Sequence, residues 1–163
     1  GVNYYTRVLV DGTEQPTLPR LSPRTRFNPL SLGLWNDHPQ GLTDAVRLAK
    51  SYGVPALITE NGSFKTDDAT DPDAASRFLV QHVQAAQRAL LPTESGPGSL
   101  LGYFYWTLVD NYEWNHGMGL RFGLYRLQPD KARVARPAAA VFRQITQARG
   151  VSADLQARFG AAE

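Results

Sequence analysis

ALITENG, residues 56–62, decides how the rest of the chain is read. Ala56, Leu57 and Ile58 favour burial, and the run then stops at a carboxylate, an amide and a glycine. A short β-prone run that ends in a polar, turn-prone triplet reads as a strand that delivers Glu60 and Asn61 to the end of a sheet. Read alone, Glu60 is as compatible with a surface acid as with a catalytic group.

The flanking segments supply the sheet. Val2 to Tyr5 reads as a strand, residues 11–33 as a long Pro-, Thr-, Arg- and Ser-rich loop, and GLTDAVRLAKSYG (41–53) as a helix. That helix places Leu42, Ala45, Val46, Ala49 and Tyr52 at helical spacing, with Gly53 as its stop. Residues 61–71 form a second polar loop. In DPDAASRFLVQHVQAAQRAL (71–90), Asp71 is the expected cap, Pro72 suits the first turn, and Phe78, Val80, Val83, Ala86 and Leu90 give an apolar side. TESGPGS (93–99) breaks the chain, and GYFYWTL (102–108) reads as a third strand, buried and aromatic. A polar-aromatic loop, DNYEWNHGMGLRFG (110–123), precedes a short strand near Leu124–Leu127 and a helix from about Pro137 to Arg149. The last residues, 151–163, read as a frayed, weakly helical tail. The chain opens inside a strand without Met, which leads us to expect the C-terminal piece of something longer.

Alternating strands and helices build parallel sheets that carry function at the C-terminal strand ends. Three strands are too few to close an eight-stranded barrel. An open three-stranded sheet exposes two edges that must be paired or covered, by another copy or by a part outside this sequence.

Composition excludes several classes. Hydrophobic residues make up 42% and charged residues 20% of the 163, ordinary for a globular protein. No apolar run approaches the roughly 20 residues that cross a bilayer. The net charge is +2 and the pI about 9.1, but the arginines are scattered, with Arg20, Arg24 and Arg26 the only tight group. A nucleic-acid binder would gather its charge on one face. The absence of Cys excludes disulfides, thiolate nucleophiles and Cys-ligated zinc. His38, His82 and His116 match no metal-ligand spacing, and neither a metal nor a cofactor is expected. The compartment stays open, with the cytoplasm favoured.

Parallel strands would bring Asn3, Tyr4 and Tyr5, then Glu60 and Asn61, then Trp106 with Asp110, Asn111, Glu113 and Trp114 to one rim. Indoles beside carboxylates suit sugars, since the ring stacks on C–H faces and the acid accepts hydroxyl bonds. A carboxylate that accepts a tyrosine hydroxyl bond is held ionised and oriented, as a nucleophile requires. Taken singly, Trp106 is equally readable as core, Trp114 as a loop anchor and Tyr4 as core.

NYY (3–5), LGLWNDHPQGL (32–42), ITENG (58–62) and YFYWTLVDNYEWNHGMGLRFGLY (103–125), in this order and spacing, resemble the C-terminal part of family 1 glycoside hydrolases, the β-glucosidase-type enzymes. The resemblance runs from Gly1 to about Gly150. It implies an α/β fold made of strands six to eight and their helices from a (β/α)8 TIM barrel, incomplete as given. The implied domain covers residues 1–150, with 151–163 as its tail.

The resemblance also implies roles. Glu60 would be the nucleophile of a retaining β-glycosidase and Tyr5 its orienting partner. Trp106 would be the platform under the sugar, and Glu113 and Trp114 would bind distal hydroxyls. Asn3 and Trp35 would line or support the rim, and Phe122 would pack beside the exocyclic group. Asp110 and Asn111 are expected to shape the loop. Members that cleave 6-phosphoglycosides carry Ser, Lys and Tyr where this chain has Glu113, Leu120 and Phe122, so unphosphorylated β-glucosides are the favoured substrates, with galactosides and fucosides admitted. Leu120 departs from the Lys common in glucoside-cleaving members.

A retaining site needs a second carboxyl about 5–5.5 Å from the first. The family supplies it from an Asn-Glu-Pro block, which this sequence does not contain. The chain alone is therefore expected to be nearly inactive. A carbohydrate-binding or scaffolding fragment is the alternative.

Overall fold

The computed structural model describes residues 1–7, 35–66, 69–91 and 99–161. The loop expected at 11–33 and most of the break at 93–99 lie outside them. The chain divides into two compact units, one of residues 1–5 and 39–163, the other of residues 6–38. In the smaller unit, Thr6 Oγ1 donates to the Asn36 carbonyl at 3.0 Å, and Trp35 Nε1 donates to Asp37 Oδ1.

The larger unit is built on three parallel strands, β1 (Val2–Asn3), β2 (Ala56–Asn61) and β3 (Leu100–Tyr105), in that spatial order. Helix α1 (Pro39–Ser51) connects β1 to β2, and α2 (Ala74–Arg88) connects β2 to β3. An antiparallel pair, β4 (Tyr125–Leu127) and β5 (Arg133–Ala135), leads into α3 (Pro137–Ala148) and α4 (Ala153–Phe159). The β–α alternation read from the sequence is present, with β5 added. No described helix is long and apolar enough to cross a membrane.

Each helix buries the stripe that its periodicity allows. Leu42 and Val46 of α1 meet Ile58 of β2 and Ala85, Ala86 and Ala89 of α2. Thr43 and Lys50 share that buried face because each has an acceptor: Thr43 Oγ1 donates to the Ala85 carbonyl at 2.8 Å, and Lys50 Nζ to the Ala89 carbonyl at 2.7 Å. Tyr52 does not join them. It falls in the turn past the end of α1, out of phase with the stripe, and is 74% exposed.

The expected apolar side of α2 forms at Phe78, Val80, Val83 and Ala86, but Leu90 lies beyond the Ala89 cap and is exposed. The cap also differs. Asp73, not Asp71, is the N-cap residue, without a side-chain cap bond. Asp71 instead accepts the Ala74 N–H through its carbonyl and pairs its carboxylate with Arg77.

Two further expectations are corrected. β3 is not buried throughout: it pairs with β2 on one side only among the described residues, and Leu101 and Phe104 are exposed. The chain end is not a frayed tail. Ser152 accepts the Leu155 N–H at 3.3 Å as the cap of α4, and Leu155 and Phe159 enter the cluster of Leu79, Val80, Val83, Val141 and Ile145. Two apolar side chains four residues apart are enough to dock a capped helix of seven residues.

Candidate active site

The parallel register brings the strand ends together. Asn3 lies beside Glu60, the Tyr4 N–H donates to the Glu60 carbonyl at 3.0 Å, and the Trp106 N–H donates to the Asn61 carbonyl at 2.9 Å. Tyr4 packs on the core of α1 and β2, as its alternative reading held. One residue on, the chain turns Tyr5 to the rim, where its hydroxyl donates to Glu60 Oε2 at 2.8 Å.

This bond sets the electrostatics of the rim. The Tyr5 phenol is held well above the usual tyrosine range, first by burial, then by its hydrogen bond to Glu60, then by the charges of Glu60 and Glu113. The phenol therefore remains a donor at any ordinary pH and fixes one carboxylate oxygen in place. Phe122 is buried and meets the Tyr5 ring edge-on at 6.1 Å, with Phe64 packed on it at the same distance.

Past β3, Trp106 Nε1 donates to Glu113 Oε1 at 3.2 Å, so the indole and the second carboxylate are held as a pair. Asn3 is exposed, and its Oδ1 accepts from Thr59 Oγ1. Trp114 is 86% exposed on a single 3-10 turn, Trp114–His116. Trp35 belongs to the smaller unit. The structure thus brings Tyr5, Glu60 and Phe122 together and pairs Trp106 with Glu113, whereas Trp114 makes no such pair among the described residues. Asp110 is structural, as expected. Arg136 holds it from two nitrogens, at 3.0 and 2.9 Å, and it accepts the N–H groups of Gly123 and Leu127. The loop bearing Glu113 and Phe122 is thereby tied to the start of α3.

Gly62 was not singled out from the sequence, and Asn61, expected at the rim, is turned inward instead. A Cβ on Gly62 would lie 1.7 Å from the Trp106 carbonyl oxygen, so only glycine lets the ends of β2 and β3 approach this closely. Asn61 is fully buried, with Nδ2 donating to the Tyr4 carbonyl at 2.6 Å and Oδ1 accepting the Tyr103 hydroxyl at 2.6 Å. The polar triplet Glu60–Asn61–Gly62 is the signal that marks both. No group of three or more His, Cys, Asp or Glu suited to a metal occurs among the described residues.

Known proteins are similar to this chain in sequence and in fold. The sequence profile of Glycosyl hydrolase family 1 matches residues 1–151. A beta-galactosidase of Sulfolobus acidocaldarius is 36% identical over 96% of this chain and 32% of its own length. A thermostable beta-glucosidase B of Thermobispora bispora is 32% identical over 93% of this chain and 33% of its own. Among solved structures, a beta-glycosidase from Pyrococcus horikoshii superposes with a TM-score of 0.74 at 31% identity, covering all of this chain and 37% of that one. The chain spans about a third of the length of these relatives. Its three-stranded parallel sheet and helices are accordingly a portion of a (β/α)8 barrel.

Proposed function

The chain belongs to glycosyl hydrolase family 1, and from that premise we propose that it carries the nucleophile half of a retaining β-glycosidase site. The observation that carries this reading is the 2.8 Å bond from Tyr5 to Glu60 at the C-terminal rim of the sheet. A binding surface has no need of a carboxylate oriented by a phenol that stays protonated. A nucleophile does.

In the first step, a Glu60 oxygen attacks the anomeric carbon as the bond to the leaving oxygen breaks, and a glycosyl ester forms. In the second, water displaces Glu60 and releases the sugar with its original configuration. Tyr5 keeps the carboxylate aimed. Trp106 offers an apolar face to the ring, and Glu113, held by Trp106, accepts bonds from distal hydroxyls. Asn3 and Trp114 flank them, and Phe122 packs beside the exocyclic carbon. Unphosphorylated β-glucosides suit this rim, since Glu113 repels a phosphate and Leu120 and Phe122 offer it no donor.

The proton for the leaving oxygen must come from a second carboxyl. Glu113 is engaged with the indole, and the sequence has no Asn-Glu-Pro block. We assign that group to residues beyond this chain, from the rest of a barrel or from another copy.

Leaving-group dependence tests the assignment. A dinitrophenyl β-glucoside, whose phenolate departs without a proton, should be cleaved slowly by the chain as it stands, and methyl β-glucoside not at all. Comparable cleavage of both would mean that the chain holds its own general acid. Saturable sugar binding without cleavage of either would favour a carbohydrate-binding role.

A further inference from the structure

We infer that Asn61 is a positioning residue that sets the geometry of the Tyr5–Glu60 pair. The inference deepens the reading of Glu60 as nucleophile and rests on it.

Main-chain pairing is irregular on the way to the rim. β1 has only two residues, and its register with β2 shifts between Val2 and Asn3. The register between β2 and β3 shifts between Ala56 and Ile58 and again between Ile58 and Asn61. A regular ladder fixes where each side chain points, and an interrupted one leaves that to other bonds.

Asn61 supplies those bonds. Its side chain is 0% exposed. Nδ2 holds the carbonyl of Tyr4, the residue before Tyr5, and Oδ1 holds the Tyr103 hydroxyl on β3. Its main-chain carbonyl holds the Trp106 N–H, and the residue before it is Glu60 itself. One residue of β2 thus bonds to the chain just past β1 and to β3, and it is the sequence neighbour of Glu60. A side chain selected for stability alone would be better apolar here, since a buried amide must satisfy its donors and acceptor to break even. The amide's distinctive property is direction: it locks the Tyr4 carbonyl, and with it the path of the chain into Tyr5.

The test compares Asn61→Ala and Tyr103→Phe with the unaltered chain. The first removes both bonds, and the second removes only the bond to Oδ1. Each is labelled with tyrosine enriched at ring carbon ζ, the Tyr5 resonance being assigned from its loss in Tyr5→Phe. In folded Asn61→Ala, the Tyr5 signal should move toward that of a phenol without a carboxylate partner. In Tyr103→Phe it should move the same way by less. Covalent trapping by a 2-deoxy-2-fluoro glucoside should slow in the same order, by roughly ten- to a hundredfold for Asn61→Ala.

A purely structural role would lower the melting temperature while leaving the Tyr5 signal of the folded molecules in place, and that result overturns the inference. If Asn61→Ala does not fold, Tyr103→Phe decides by the same signal. If the unaltered chain traps no sugar, the nucleophile reading fails. The Tyr5 signal still answers whether Asn61 sets the pair.

Discussion

The Tyr5 hydroxyl donates to Glu60 Oε2 over 2.8 Å, joining residues 55 apart in sequence at the end of two adjacent parallel strands. Hydrogen bonds to charged groups contribute about 1.5–3 kcal/mol. Replacing Tyr5 by Phe keeps the ring that packs on Phe122 and removes only the donor. Trapping by an activated fluoroglucoside should fall roughly ten- to a hundredfold in Tyr5→Phe while the folded fraction is unchanged. An unaltered rate would show that the phenol does not orient the carboxylate.

Alkaline pH should unfold the chain through its buried phenols. Tyr5, Tyr103 and Tyr105 are all raised above the ordinary tyrosine value, each chiefly by burial, Tyr105 to about 12. A raised folded value means that the native state keeps its proton while the unfolded chain has begun to lose it. The stability is therefore complete below about pH 10 and is lost as pH rises from there through the folded values. The slope is at most roughly 1.4 kcal/mol per pH unit for each tyrosine. Urea midpoints measured from about pH 9 to 11.5 should fall steeply above 10, and less steeply in Tyr105→Phe. A flat profile would contradict the burial of these groups.

Arg136 and Asp110 form an ion pair closed from water on both sides. Removing one partner leaves the other charge buried, at a cost of about 3–5 kcal/mol. Arg136→Met should lower the unfolding free energy by that amount in urea titration. Adding Asp110→Asn should recover part of it, since no charge is then stranded. Simple additivity of the two losses would show that the pair is not coupled.

Much of this architecture is legible in the sequence, and the remainder is hidden for physical reasons. The apolar face of α2 follows from periodicity, and the burial of Ile58 from its short apolar run. Tyr52 and Leu90 are misplaced by the same rule, because periodicity says which residues share a face but not where the helix stops. The Asp110–Arg136 pair is invisible at a separation of 26 residues. So is the partner of Lys50, whose burial depends on an Ala89 carbonyl from another helix. At the site, the Glu60–Asn61–Gly62 triplet announces a strand end, and the family resemblance suggests the roles proposed for Tyr5 and Glu60. Only the fold shows that Asn61 points inward to bind Tyr4 and Tyr103.

The docking of α4 is a separate claim on stability. Leu155 is buried against the cluster of α2 and α3. Leu155→Ala should cost about 2–5 kcal/mol, the range for a truncated core leucine. An effect within experimental error in denaturant titration would mean that the helix is not packed there.

The measurement that bears most directly on the central claim is the mass of the chain after incubation with a dinitrophenyl 2-deoxy-2-fluoro-β-glucoside, followed by peptide mapping. The account predicts one sugar per chain, located on Glu60 and absent from Glu60→Gln. An adduct on another carboxylate such as Glu113, or no adduct from a demonstrably folded sample, would contradict it.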